Sequence, residues 1–338
     1  MKPLRVGIIG CGFFAQFHRN AWREIPGVEI AAVCDLDGPK AEAFAAEAPG
    51  AAVFTDAERM IAGAGLDFVD IVTHPSTHRA LVELAARRRM NAICQKPLAF
   101  DLDDVRAMVA AVEAAGIRFM AHENFRWQTP MRAVKRAAAE IGELFYGRIH
   151  FRCAFDVFAN QPYLAEDERF VIADLGVHLV DLSRFFMGET RRLYCHSQRL
   201  NPDIRGEDVA TIMLELVNGG VCLVELSYGS HLEEELFPQT LVHLEGREGS
   251  VTLGADYQLT TVTPAGVRRE AAPPRRFSWS DDLLVAIQDS VVACEQHWVD
   301  CYRANQPVES TAADNLRTLQ LVDAAYRSAE AHAPVELP

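Results

Sequence analysis

A glycine turn set between two apolar runs limits this chain more than any other feature. Val6-Gly7-Ile8-Ile9 leads into Gly10-Cys11-Gly12-Phe13-Phe14-Ala15, and a second apolar run, Val28–Cys34, ends on Asp35. Each position has a mechanical reason. Gly10 permits a tight turn off a strand, and Gly12 lets the backbone approach a pyrophosphate with no Cβ in the way. Ala15 takes the third small position, where a helix packs closely on the strand. The stretch from Phe14 to Ile25 reads as that helix, and its first turn offers unpaired N–H groups and a partial positive charge to phosphates. Phe13 and Phe14 fall within the turn and count with it as cofactor-binding. Asp35 follows the turn by about twenty residues, where a carboxylate accepts hydrogen bonds from adenosine ribose hydroxyls. Glycine turns alone are common; strand, turn, helix, second strand and terminal acid together specify a dinucleotide site. A carboxylate at 35 repels the 2′-phosphate of NADP, and no arginine follows it closely. NAD is therefore favoured over NADP, with Lys40 the cation nearest in sequence.

The bulk properties narrow the function classes. A chain of 338 residues is long enough for two domains with separate cores. Its formal net charge of −14 argues against nucleic acid, whose binding relies on Lys and Arg neutralising phosphates. No apolar run approaches the roughly twenty residues that cross a bilayer, so no membrane partner is expected. The first strand begins within a few residues of the start, leaving no room for a signal peptide, and a cytoplasmic location is expected. None of the eight cysteines form a C-x-x-C pair, and no zinc-ligand spacing is present. They read as reduced structural thiols, and no metal is expected. His231 with Glu233, Glu234 and Glu235 reads as a solvated acidic loop.

Up to about residue 122, short apolar runs alternate with helical patterns. Arg5–Gly10, Val28–Cys34, Ala52–Phe54, Phe68–Val72, Ala92–Gln95 and Arg118–Ala121 read as strands. That alternation predicts an α/β fold, a doubly wound parallel sheet of Rossmann type over residues 1–122. Ligands of such sheets lie beyond the carboxyl ends of the strands. Residues 123–338 have a different grain, with a helical segment at Asp174–Met187 and a series of alternating runs from Arg192 to Thr263. Asn218-Gly219-Gly220 between two of them is a hairpin signal. This half predicts an α+β domain with a large, mostly antiparallel sheet, closed by helices at Asp282–Ala304 and Ala312–Ala331.

Two constellations carry chemistry. Gln95-Lys96-Pro97 closes the fifth strand, where proline fixes the chain direction and is open to a cis bond. Lys96 would project from the strand end to donate hydrogen bonds to a substrate hydroxyl or share its proton; the plain alternative is a surface lysine in a β–α loop. Asp174 and His178 lie four residues apart on a predicted helix, with Asp181 three further on, so all three can share a face. Histidine takes a proton near neutral pH, and a carboxylate orients its ring. The plain alternative is a helix capped by Asp174 with His178 packed on the sheet.

The glycine turn, the Lys-Pro after the fifth strand and the Asp-x-Gly-x-His helix together resemble the Gfo/Idh/MocA oxidoreductase family over essentially the whole chain. The usual strand-end motif there is Glu-Lys-Pro; this chain has Gln95 in place of the glutamate and keeps the lysine. The resemblance implies that Lys96, Asp174 and His178 are catalytic. It places Thr73, Pro75 and His78 beneath the nicotinamide side of the cofactor, with Gln95, Lys96 and Asn124 also in contact with it. Arg126 and Tyr163 join Lys96, Asp174 and His178 at the substrate; an ion pair is the alternative for Arg126. His122–Gln128, Gln161-Pro162-Tyr163, Leu200-Asn201-Pro202 and Gly206-Glu207-Asp208 resemble the sugar-oxidising branch, whose substrates include aldoses such as D-apiose. The family implies a homodimer or homotetramer built on the C-terminal sheet. The function expected is hydride transfer between NAD and a hydroxyl carbon of a sugar or polyol. A redox-neutral glycosidase that retains NAD and a non-catalytic dinucleotide-binding regulator are the alternatives. Phe155–Arg169 and His231–Pro238 are expected to set specificity.

Overall fold

The computed structural model describes residues 2–159 and 161–337. It contains two compact units, Met1–Asn124 with Val291–Arg317, and Phe125–Ser290 with Thr318–Pro338. The chain thus returns to its first unit. The cause is visible in the packing: Trp298, fully buried, sets its indole against Phe68 with ring centroids 5.4 Å apart.

The first unit alternates β1 (Leu4–Ile9), α1 (Ala15–Glu24), β2 (Val28–Cys34), α2 (Gly38–Ala45), β3 (Ala52–Phe54), α3 (Ala57–Gly63) and β4 (Phe68–Ile71). It continues through α4 (Pro75–Arg87), β5 (Asn91–Gln95), α5 (Leu102–Ala115) and β6 (Phe119–His122). The six strands pair in parallel in the order β3-β2-β1-β4-β5-β6. β4 is buried at every position and β1 over its last four, as helices on both faces require. The order reverses between β1 and β4, so the crevice outside their carboxyl ends is the ligand position of this topology.

The second unit holds α6 (Thr129–Ala138), β7 (Leu144–Arg152), α7 (Val177–Met187), β8 (Thr190–Gln198), β9 (Val209–Leu216) and β10 (Val221–Ser227). β11 (Leu241–Gly246), β12 (Gly249–Leu253), β13 (Gln258–Thr263) and β14 (Gly266–Ala271) follow. Two long helices, α8 (Val285–Ala304) and α9 (Ala312–Ala331), each contribute to both units, and β15 (Val335–Glu336) ends the fold. Nine strands run in the order β14-β13-β12-β11-β7-β10-β9-β8-β15, antiparallel except for the parallel pair β7–β10. The Asn218-Gly219-Gly220 turn joins β9 to β10, with Gly219 at φ +86°. α6 and α7 pack on one face. Ala210, Ile212 and Leu214 of β9 are buried, while Met213 between them is 47% exposed, so the other face is open in this chain. All eight cysteines are free and buried.

Candidate active site

The glycine turn is built as the spacing demands. Gly10 sits at φ +100°, and a Cβ there would come within 2.3 Å of the Val72 carbonyl oxygen. A Cβ on Gly12 would meet nothing within 4 Å, so this backbone faces open space. Ala15 is fully buried under the first turn of α1. No side chain caps that helix; the N–H groups of Gln16 and Phe17 donate to the Phe13 and Phe14 carbonyls, and the positive end of the helix dipole faces the glycine turn. Phe13 is 51% exposed beside the turn, and Phe14 is half-buried, with its ring edge-on to Phe17. These features fit a dinucleotide pyrophosphate.

Asp35 is drawn into the turn. Its carboxylate accepts hydrogen bonds from the backbone N–H of Cys11 (2.9 Å) and of Asp37 (3.1 Å), with Lys40 Nζ 3.2 Å away. Burial alone would raise its pKa, but those two N–H donors and Lys40 hold it below the ordinary value.

Beyond β4, Thr73 and Pro75 are half-buried and start α4. His78 follows in the first turn of α4. It is fully buried, with Nδ1 3.1 Å from the Pro97 carbonyl oxygen and Nε2 3.0 Å from that of Thr73. Its imidazole braces the loop after β4 against the loop after β5, and burial pushes its pKa down. Lys96 is half-buried at the end of β5, followed by a cis bond to Pro97. Its backbone N–H donates to the side-chain oxygen of Gln95 at 2.6 Å. Gln95 is buried, and so is Asn124, at the exit from β6.

In the second unit, Arg126 is buried in a bidentate ion pair with Asp181 (2.5 and 2.6 Å), whose Oδ1 also accepts from the Thr318 hydroxyl at 2.7 Å. The guanidinium is thereby held by an ion pair within this unit. The His178 ring is 4% exposed and stacks on Phe125, with centroids 3.8 Å apart and planes within 4°.

Asp174 stands on a π-helical turn, Ile172–Gly176, that leads into α7. The expected regular helix is therefore widened at the residue that matters. Glu207 holds the start of this turn: its carboxylate accepts from the N–H of Ile172 (2.9 Å) and of Phe170 (3.3 Å) and from the Tyr326 hydroxyl (2.8 Å). The Ala173 N–H donates in turn to the Tyr326 oxygen at 3.1 Å. Asp174 is half-buried among phenols. Burial and then its charge push Tyr163 up to about 12, and the same two causes raise Tyr228. Tyr163 is 56% exposed and donates to Gln161 at 2.7 Å. The two loops expected to set specificity touch, since Phe155 stacks on Phe237 at 4.0 Å and Glu235 accepts from the Ala154 N–H. Glu207, Tyr228 and Tyr326 were not predicted as site residues; Glu207 alone left a trace, in Gly206-Glu207-Asp208. A cavity of about 480 Å³ lined by Glu113, Arg118 and Gln306 opens at the amino-terminal end of β6, away from the strand ends that carry the chemistry.

Residues 4–123 match the profile of an oxidoreductase family with an NAD-binding Rossmann fold, and residues 131–252 match the Gfo/Idh/MocA C-terminal domain. The chain is 48% identical, over its full length and 90% of the relative's, to a D-apiose dehydrogenase of Paraburkholderia graminis. It is 45% identical to a D-apiose dehydrogenase of Rhizobium rhizogenes, over 97% of this chain and 96% of that one. The chain belongs to the Gfo/Idh/MocA oxidoreductase family. Among solved structures, an oxidoreductase from Agrobacterium radiobacter in complex with NAD+, L-tartaric acid and magnesium superposes with a TM-score of 0.97. It is 44% identical, over 99% of this chain and 98% of that one. Levoglucosan dehydrogenase shares the fold at 20% identity and a TM-score of 0.86. As a Gfo/Idh/MocA member, this protein is an NAD-binding oxidoreductase with its Rossmann unit first in sequence.

Proposed function

We propose that this enzyme oxidises a hydroxyl of an aldose, D-apiose or a close relative, with NAD. The full-length identity of 48% and 45% to two D-apiose dehydrogenases carries the substrate assignment. Retention of Lys96, Asp174 and His178 supports turnover over the regulator alternative, because a dinucleotide sensor needs none of the three.

Gly10, Gly12, Phe13, Phe14, Ala15 and Asp35 would hold the pyrophosphate and ribose, with Thr73, Pro75, Gln95 and Asn124 toward the nicotinamide. Bound NAD supplies the acceptor for the hydride that leaves the substrate carbon. The chain's own residues handle the proton. His178 takes it from the hydroxyl as the C–H bond breaks, so that an alcohol or hemiacetal carbon becomes a carbonyl. Lys96 donates a hydrogen bond to the oxygen as negative charge develops there, and Asp174 orients the proton-transfer groups. Tyr163, exposed beside Asp174, would contact sugar hydroxyls. The open face of the nine-stranded sheet supports assembly into a homodimer or homotetramer.

The direct test is absorbance at the NADH band over a panel of aldoses, inositols and polyols, with NAD and NADP in parallel. NAD-linked turnover highest on D-apiose is expected. Turnover confined to inositols would reassign the substrate, and silence across the panel would remove the dehydrogenase reading.

A further inference from the structure

A buried polar cluster lies directly behind Lys96, all of it within the first unit. Gln95, His18, His122, Asp70 and Glu295 meet there, and His18, His122, Asp70 and Glu295 are fully shielded from solvent. His18 Nδ1 lies 2.8 Å from Asp70 Oδ2, which also accepts from Trp22 Nε1 at 2.8 Å. Glu295 Oε1 is 3.1 Å from His18 Nδ1, yet neither Glu295 oxygen takes a hydrogen bond. Burial disfavours charge on both groups. It holds Glu295 well above the usual carboxylate range, whereas Asp70 and Glu295 pull the His18 pKa upward, a pull that the Gln95 amide donor facing Nε2 opposes.

The hydrogen-bond polarity can be worked out from one fixed donor. The Lys96 backbone N–H can only donate, so the Gln95 atom 2.6 Å from it is the amide oxygen. The Gln95 amide nitrogen then faces His18 Nε2 at 3.0 Å and His122 Nδ1 at 3.5 Å. An amide nitrogen only donates, so His18 Nε2 must present its lone pair. Its one proton sits on Nδ1 and goes to Asp70. A second proton would set N–H against N–H at 3.0 Å, unless the amide turned over and surrendered the Lys96 bond.

We propose that Gln95 is a positioning residue for Lys96, locked by a neutral His18 whose Nε2 accepts from the Gln95 amide. Protonation of His18 and the Gln95–Lys96 hydrogen bond exclude one another. The acidic neighbours give the lock its importance, because Asp70 and Glu295 would hold a second proton on His18 were the amide donor absent. A glutamate at 95 would accept from Lys96 N–H and from a protonated Nε2 together, so glutamine and neutral histidine form a matched pair. His18, His122 and Glu295 also bring three ligating atoms within 4.8 Å of one another, but His18 is committed at both nitrogens, to Asp70 and to Gln95.

The inference rests on Lys96 acting in turnover, and its test separates the two ideas. Nitrogen-15 NMR of the histidine rings in the intact enzyme, between pH 6 and 8, reads the lock directly. His18 is expected to carry a proton on Nδ1 and none on Nε2 in the native protein, and protons on both in Gln95→Glu. Gln95→Leu is expected to lower kcat by about 10²-fold, as small displacements of reacting groups do, with part of the loss restored in Gln95→Glu. A doubly protonated His18 in the native enzyme, or a transition metal that copurifies in stoichiometric amount, overturns the lock whatever Lys96 does. An unchanged kcat in Gln95→Leu while Lys96→Ala is crippled overturns the positioning role. The expected His18 protons together with a fully active Lys96→Ala would overturn the catalytic reading of Lys96 and leave the lock standing.

Discussion

Asp35 shows how one carboxylate can serve a turn and a cofactor together. Its bonds to the Cys11 and Asp37 N–H groups stiffen the glycine turn, while its charge opposes a 2′-phosphate. Asp35→Ala should therefore weaken NAD binding and narrow the preference over NADP; titration of both dinucleotides checks this, and unchanged affinities would remove the carboxylate from recognition. Because the folded environment lowers its pKa, the ionised form is the one the fold favours. The stabilisation is present above the ordinary carboxylate value and is lost as pH falls through the lowered folded value, so the turn loosens only in acid. Lys96→Ala should lower kcat by about 10²–10⁴-fold with NAD affinity nearly intact. An unchanged kcat in steady-state assays would remove Lys96 from the chemistry. A strand end and a helix spacing brought Lys96, Asp174 and His178 forward as candidates, beside plain structural alternatives that only the family resemblance outweighed. Arg126 and His78 meet Asp181 and the Pro97 carbonyl only on folding, so the identity of neither partner was legible in the sequence.

The turn before α7 shows where periodicity stops being informative. A regular helix over Asp174–Met187 accounts for the apolar spacing, yet the chain makes a π-helical turn at Ile172–Gly176 before α7 begins. The residues that hold it, Glu207 and Tyr326, come from a loop and a helix remote in sequence. Gly206 lets the loop arrive, since a Cβ there would stand 2.9 Å from the Asp167 carbonyl oxygen and the Phe170 nitrogen. π-bulges concentrate at functional sites, and this one carries Asp174. Tyr326→Phe removes the hydroxyl that links Glu207 to the Ala173 N–H. It should cost about 1–3 kcal/mol in urea unfolding and depress kcat while NAD affinity stays constant. A loss of stability with full kcat would reduce the clamp to a structural brace.

Both sheets could be anticipated, because a parallel sheet needs continuous apolar runs and a one-sided sheet needs alternation. The exposed β14 and the two-residue β15 carry neither pattern strongly and were missed. The return of Val291–Arg317 to the first unit was also hidden, because an alanine-rich helix does not name the core it joins. Trp298→Ala should cost about 3–5 kcal/mol and lower the melting temperature even with saturating NAD. A Tm unchanged in calorimetry would show that this helix is not part of that core. The proposed function requires net oxidation of a sugar with the electrons delivered to NAD. The most direct measurement is the stoichiometry of NADH formed per D-apiose consumed when the reaction runs to completion with excess NAD. One NADH is expected for each sugar oxidised. Sugar consumed with no net NADH would contradict it and point to a redox-neutral cycle on retained cofactor.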